Sequence, residues 1–355
     1  MGSPIKVLVV DDSALVRKML TDILSSDSNI EVIHAAKDPY EARDYLVSHQ
    51  PDVITLDIEM PKMDGVTFLK KLMKAFPTPT VVISSLAEKG KKITIEAMEA
   101  GAVDIITKPK MGTSDFFDES SNDIIDRVKK ASQANIGNIQ NILSYSAQPI
   151  EAAEIEHTKL HETTDQIIAI GASTGGVESL AKIMPLFPPA TPGIVIVQHM
   201  PEGFTASFAN RLNDLSQIQV KEAEDGMRIV PGTALIAPGG TQHLKVVRYG
   251  GQYRVELEEG EKVSFNRPSV DVMLSSVAKH VGENATSIIM TGMGKDGAAG
   301  LLDVKQAGGT TFIQDESTSI IFGMPGEAKA RGAAQREIPL MDIPKELLNA
   351  SRKLH

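Results

Sequence analysis

The sequence predicts a two-domain α/β protein. The N-terminal domain reads as a (βα)5 unit with a parallel sheet, and the C-terminal domain as a doubly wound α/β unit that also carries a β-hairpin. Three observations lead there. The chain has 355 residues, enough for about two ordinary domains. Short β-branched runs alternate with amphipathic helical stretches in both its first and its last parts. Between them, residues 133–163 lose that periodicity and become rich in Asn, Gln, Ser, Ala and Glu. The expected division is therefore 1–125 for the first domain, 126–164 for a helix end and linker, and 165–355 for the second domain.

In the first domain the strand-like runs are KVLVV (6–10), EVIHA (31–35), VITL (53–56), TVVIS (80–84) and DIIT (104–107). Helical patterns fall near 13–25, 38–48, 64–75 and 90–100, and a last helix is expected over about 121–132. In the second domain the runs are IIAI (167–170), GIVIV (193–197), ALIA (234–237), KVVRY (245–249), YRVEL (253–257), SIIM (287–290) and TTFI (310–313). Gly250-Gly251 separates two of these runs by two residues, which is a hairpin signal.

Composition removes several classes of function. There is no cysteine, so disulfides, thiolate metal sites and a cysteine nucleophile are excluded. The net charge is −10, and both parts are acidic: 14 Lys/Arg against 20 Asp/Glu up to residue 125, and 22 against 26 beyond. Neither part offers the basic face that a nucleic-acid backbone attracts. No apolar run approaches the ~18 residues of a membrane span, and the apolar run near the N-terminus is too short for a signal peptide. Met1-Gly2 starts like an acylation motif, but Lys6 occupies the position that needs Ser or Thr. A cytoplasmic protein without nucleic-acid binding or membrane insertion is expected.

Five polar residues of the first domain fall at strand ends. Asp11 and Asp12 follow the first strand, Asp57 ends the third, Ser84 ends the fourth, and Lys108 follows the fifth just before Pro109. In an open parallel sheet these ends form one rim, where ligands bind. Clustered carboxylates repel, and a hard divalent cation with oxygen ligands relieves that repulsion, so Mg²⁺ suits Asp11, Asp12 and Asp57. Lys108 and the cation could neutralise a phosphoryl group arriving at Asp57, with Ser84 donating a hydrogen bond. KVLVVDDS, LDIEMPKMDG and the later TKP resemble a response-regulator receiver domain over roughly residues 4–125. The resemblance implies phosphorylation of Asp57 by a histidine kinase, Mg²⁺ held by Asp11 and Asp12, and the hydroxyl and lysine positions at Ser84 and Lys108. One departure is Ile105, which stands where many receivers carry an aromatic switch residue.

In the second domain Gly171-Ala172-Ser173-Thr174-Gly175 follows a strand and matches G-x-S-x-G. A nucleophilic serine on a tight strand-to-helix turn needs small neighbours, and the helix start behind it offers free N–H groups to an oxyanion. Such a serine also needs a base and an acid that orients the base. Of eight histidines, His199 directly follows a parallel strand and shares the rim with Ser173. His243, after the turn APGGTQ, is the other candidate. Asp296, after SIIM, is an acid on the same rim. The order Ser173, His199, Asp296 differs from the Ser, acid, His order of α/β-hydrolases, so a different serine-hydrolase fold is expected. A competing pattern shares these residues: Gly292-x-Gly294-x-x-Gly297 between strand and helix, with Asp315 ending the next strand, approximates a dinucleotide-binding fingerprint.

IGASTGG, VIVQHMPEGFTASFANRL, FNRPSVDVM and MTGMGKDGAAG together resemble the catalytic domain of the CheB family of chemotaxis protein-glutamate methylesterases, over roughly residues 165–350. The resemblance implies a Ser173, His199, Asp296 triad, with backbone N–H groups of Thr174 and Met293 as oxyanion donors. It implies γ-glutamyl methyl esters on chemoreceptors as substrate, deamidation of receptor glutamines as a second activity, no cofactor for the esterase step, and control by a docking equilibrium of the receiver domain. A receiver fused to a dinucleotide-binding oxidoreductase, or to a binding-only output, is the alternative reading. Arg267-Pro268-Ser269 reads either as a receptor contact or as a structural loop.

Overall fold

The computed structural model describes residues 3–108, 115–145 and 165–352. The chain divides into two compact units, Met1–Leu143 and Ser144–His355. Among the described residues no helix is long and apolar enough to cross a membrane.

The first unit runs β1 (Ile5–Val10), α1 (Ala14–Ser25), β2 (Ile30–Ala36), α2 (Pro39–Leu46), β3 (Val53–Asp57), α3 (Gly65–Ala75), β4 (Thr80–Ser84), α4 (Glu88–Glu99), β5 (Asp104–Thr107), α5 (Asp115–Ala131) and α6 (Ile136–Ser144). All strand pairs are parallel, in the order β2-β1-β3-β4-β5. Helices on both faces bury the central strands, so β3 and β4 are buried along their whole length and read as continuous rather than alternating runs. Side-chain caps start three of the helices. Ser13 accepts from the Val16 N–H, Asp38 from Tyr40 and Glu41 ahead of a proline at the first helical position, and Asp64 from Thr67.

Residues 126–131 complete α5, as the expected helix end, and a further helix, α6, occupies part of the expected linker. Ile139 and Ile142, three apart on one helix face, are buried. A Cβ added at Gly101 would lie 3.1 Å from Leu143 and 3.2 Å from Met73, so α6 packs on the α3 and α4 side of this unit. A short apolar stripe in a polar segment is weak evidence in a sequence, but it suffices when a matching surface is at hand. The remainder of the expected linker, 146–164, lies outside the described residues.

The second unit holds β6 (Ile167–Ala172), α7 (Gly176–Ile183), β7 (Gly193–Gln198), α8 (Thr205–Leu215), β8 (Gln219–Glu222), β9 (Thr233–Ile236), β10 (Gln242–Tyr249), β11 (Gln252–Glu259), α9 (Val270–His280), β12 (Ala285–Ile289), α10 (Ala298–Gln306), β13 (Thr310–Gln314), α11 (Met324–Ala330), β14 (Arg336–Ile338) and α12 (Ile343–Arg352). Seven parallel strands form one sheet, ordered β14-β13-β12-β6-β7-β9-β8. The winding direction reverses between β6 and β12, and the rim above that pair is the place where such sheets bind ligands. β10 and β11 form the expected antiparallel hairpin, closed by Gly250-Gly251 at positive φ. The hairpin lies against α9, where the Val246 N–H donates to Ser276 Oγ at 2.8 Å.

Candidate active site and acidic pocket

β6 and β7 pair in register as far as Ala172 opposite Gln198, and the His199 N–H donates to the Ala172 carbonyl at 3.0 Å. The next residues on the two strands, Ser173 and His199, therefore leave the sheet side by side, one strand spacing apart. From the other side of β6, the segment after β12 closes in. The Ser173 N–H donates to the Thr291 carbonyl at 3.0 Å, and a Cβ added at Gly292 would lie 2.7 Å from the Ser173 Cβ and 2.5 Å from Met324 Sδ. Only glycine permits that approach. Gly292→Ala should push the serine aside and cut turnover about 100-fold, the usual cost of an ångström-scale misplacement. Circular dichroism and turnover measured together check this, and unchanged turnover would contradict it.

His199 Nε2 donates to Asp296 Oδ2 at 2.8 Å. Asp296 is itself held by the start of α9. It accepts from Ser269 Oγ at 2.7 Å, the Val270 N–H at 2.8 Å and the Asp271 N–H at 3.0 Å. Ser269 is also the cap of α9. Burial alone would raise the Asp296 pKa. The hydrogen bond and charge of His199, with the Ser269 and Asp271 donors, outweigh it and hold the carboxyl below the usual carboxylate range. Asp271 shows the opposite sign: burial raises it, and the Asp296 charge adds to that. Its carboxylate accepts the Gly300 N–H at 2.8 Å, so the two acids hold each other's neighbouring helix starts.

The Asp296 bond uses the Nε2–H of His199 and leaves Nδ1 as the free lone-pair nitrogen. Among the described residues the hydrogen bonds of Ser173 all run through its backbone, and its hydroxyl makes none. Such contacts are often open before substrate binds. Around Ser173 the backbone is pinned. The Gln198 side-chain amide donates to the Ser173 and His199 carbonyls, both at 2.9 Å, and Thr291 Oγ1 donates to the Thr174 carbonyl at 3.0 Å. The N–H groups of Thr174 and Met293 have no hydrogen-bond partner among the described residues.

His243 is not placed for catalysis. It is buried, its Nε2 donates to the Glu261 carbonyl at 2.8 Å and its Nδ1 accepts the Ser269 N–H at 3.1 Å, so both ring nitrogens are used in holding loops. The glycine pattern 292–297 also differs from a nucleotide cradle. Gly292 is packed on Ser173, and Asp296 turns inward to His199 and α9. Asp315 is engaged by Ser317 Oγ at 2.5 Å and by the Thr318 N–H at 3.2 Å. Sequence reading placed Ser269 in a receptor contact or a structural loop without tying it to Asp296, and did not single out Gln198. Ser269 carried a signal, since a serine before an apolar periodic run marks a helix start; Gln198 carried none.

In the first unit Asp11, Asp12 and Asp57 bring carboxylate oxygens within 4.8 Å of one another. Asp57 Oδ1 accepts the Glu59 N–H at 2.9 Å, and Oδ2 accepts from Lys108 Nζ at 2.7 Å. Burial and the Asp57 charge raise the Asp11 pKa to about 6. Burial would lower Lys108, but its bond to Asp57 and the charges of all three acids push it upward. Asp11 Oδ2 is buried and accepts no hydrogen bond, so an oxygen ligand is left over in an acidic cluster. That donor set fits a hard divalent cation. Ser84 sits at the expected strand end, but its hydroxyl faces α4. It accepts from Thr94 Oγ1 at 2.5 Å and donates to the Ser85 carbonyl at 3.2 Å. Ile105 is buried, so no aromatic ring is available there to swing outward.

A family model described as CheB methylesterase matches residues 168–347, and one described as response regulator receiver domain matches residues 7–114. The protein-glutamate methylesterase/protein-glutamine glutaminase 2 of Albidiferax ferrireducens is 50% identical over 341 residues, covering 96% of this chain and 99% of that protein. The protein-glutamate methylesterase/protein-glutamine glutaminase of Sulfurimonas denitrificans is 50% identical over 339 residues, covering 96% of each. The crystal structure of the Thermotoga maritima CheB methylesterase catalytic domain aligns with a TM-score of 0.51 at 42% identity, covering 52% of this chain and 97% of that one.

Proposed function

The chain belongs to the CheB methylesterase family, with a response-regulator receiver domain at its N-terminus, and from that footing we propose that it hydrolyses γ-glutamyl methyl esters of chemoreceptors under the control of phosphorylation at Asp57. The observation that carries this reading is the Asp296–His199 hydrogen bond at the rim beside Ser173.

In the proposed mechanism His199 Nδ1 takes the proton of Ser173 as the hydroxyl oxygen attacks the ester carbonyl. Asp296 keeps the imidazole in the Nε2–H tautomer and stabilises the imidazolium that forms. The N–H groups of Thr174 and Met293 receive the oxyanion, each contributing a few kcal/mol. His199 returns the proton to the departing methanol, and water then repeats the sequence on the acyl-enzyme to release the glutamate carboxylate. A glutamine side chain enters the same path with ammonia as the leaving group, which fits the second activity in the names of the relatives.

In the receiver, Asp57 is the proposed phosphoacceptor, with a histidine kinase as donor, and Asp11, Asp12 and Asp57 would hold Mg²⁺. When bound, the cation supplies positive charge beside the transferring phosphoryl group. Lys108, already on Asp57 Oδ2, supplies a second cationic contact. For Ser84 to reach the phosphoryl group its hydroxyl must leave the Ser85 carbonyl, which alters its bond with Thr94 on α4.

The test is methanol release from methylated chemoreceptor membranes, with and without a small phosphodonor and Mg²⁺. Release that rises with phosphodonor is expected, and Asp57→Asn should lose that rise while keeping the basal rate. No release in either condition would defeat the esterase reading. Activation that survives in Asp57→Asn would defeat the proposed switch.

A further inference from the structure

Residues 263–266 form a tight two-residue turn in which Val263 and Asn266 exchange backbone hydrogen bonds of 3.1 and 2.9 Å. Its two central residues, Ser264 and Phe265, have φ of 50° and 67°. Left-handed backbone at both central positions is the preserve of Gly, Asn and Asp, and strains a bulky L-residue. The same unit makes the comparison itself: the β10–β11 hairpin turns through Gly250-Gly251 at φ of 54° and 82°. Where the chain needs only the turn, it uses two glycines.

The Phe265 side chain returns nothing to the fold for that strain. The residue is 91% exposed, the most exposed large apolar residue among those described. Its base is rigid. Asn266 Nδ2 donates to the Ser264 carbonyl at 2.7 Å, and the Arg267 guanidinium clamps the Gly240 and Gly260 carbonyls at 2.8 and 2.7 Å. Arg267 is thus a structural staple rather than a free surface cation. Two residues further, Ser269 holds Asp296. Gly239 and Gly240 in turn lie against Met200, Pro201 and Glu202, which directly follow His199. The turn is therefore tied to both the acid and the base of the active site.

We propose that Phe265 is a specificity-determining contact for the stretch of substrate protein flanking the esterified glutamate, which it grips through apolar side chains. The proposal rests on the esterase reading above. A solvent-exposed ring on a turn bonded back to the segments that carry Ser269 and follow His199 matches a polypeptide that extends past the reacting ester. The contact raises the effective affinity for the protein substrate and takes no part in the chemistry.

The experiment compares wild type, Phe265→Asn and Phe265→Tyr on two substrates: methylated chemoreceptor membranes, and a γ-methyl glutamate dipeptide. Asn tolerates the turn, so folding is not at risk and thermal stability should hold or rise. For Phe265→Asn, kcat/KM on receptor is expected to fall about tenfold or more, chiefly through KM, the loss typical of truncating one aromatic anchor. On the dipeptide it should stay within about twofold, the margin set by a residue that touches only the longer substrate. Phe265→Tyr should recover most of the receptor activity. Receptor turnover by Phe265→Asn within about twofold of wild type overturns the proposal, as does an equal loss on both substrates. A wild-type protein inactive on both substrates would instead defeat the esterase reading, and the inference with it.

Discussion

Replacing Ser173 by alanine is expected to abolish methanol release, lowering kcat by about 10⁴–10⁶-fold with little change in the fold. The size follows from covalent catalysis. Without the hydroxyl no acyl-enzyme forms, and the oxyanion donors and substrate binding are left to act on a water attack. The fold should persist because what surrounds Ser173 is held through its backbone: its N–H by the Thr291 carbonyl, its own carbonyl by Gln198 Nε2 and the Gly176 N–H at 2.7 Å. Alanine keeps every one of those bonds. Rates with receptor membranes, paired with a thermal melt, decide the matter. Turnover near wild type would remove Ser173 from the mechanism and reopen the dinucleotide alternative.

Asp296→Asn should cost about 10³–10⁴-fold in kcat, with substrate binding largely kept. The carboxylate accepts from four donors: His199 Nε2, Ser269 Oγ and the N–H groups of Val270 and Asp271. An amide offers one accepting oxygen and must point its NH₂ at some of those donors. If the NH₂ faces His199, Nε2 must accept, Nδ1 carries the proton, and the base that Ser173 needs is gone. If the oxygen faces His199, the NH₂ meets the start of α9, and that helix loses its anion.

Asp296→Asn should also lower stability, with a defined pH dependence. The folded carboxyl is held below its ordinary value. Its ionised form therefore stabilises the fold fully above the unfolded carboxylate pKa of ~3.9, and that contribution fades as pH falls through the lower folded value. The variant should be less stable than wild type at neutral pH, and the gap should narrow below about pH 4. A gap that stays constant from pH 7 to pH 3 would count against an ionised Asp296. So would turnover within tenfold of wild type.

Much of this site was legible because parallel strands in a two-faced sheet are buried along their whole length. IIAI, GIVIV and SIIM stand out as apolar runs, and β6, β7 and β12 lie next to one another. The residues that leave those strands must then share a rim, which brings Ser173, His199 and Asp296 together by topology alone. The acidic pocket followed the same logic from β1, β3 and β5. Short strands at or near the sheet margin escaped notice: β8 (QVKE) and β14 (REI) are mostly polar or exposed, so no apolar run marks them.

By itself, then, the sequence determined the alternation of strands and helices, the rim on which each polar residue emerges, and the family those motifs belong to. These depend on local apolar patterning and on connections between neighbouring elements, and both are written along the chain. The tertiary structure alone decided three further things. It removed His243 as a rival, because that ring spends both nitrogens on Glu261 and Ser269, which no spacing reveals. It set the imidazole tautomer, because the start of α9 reaches Asp296 from 25 to 27 residues away and fixes it against His199. It left Phe265 in the open on a left-handed turn. Each is a matter of direction, of where a nitrogen, an oxygen or a ring points, and direction is settled only when distant segments pack against one another.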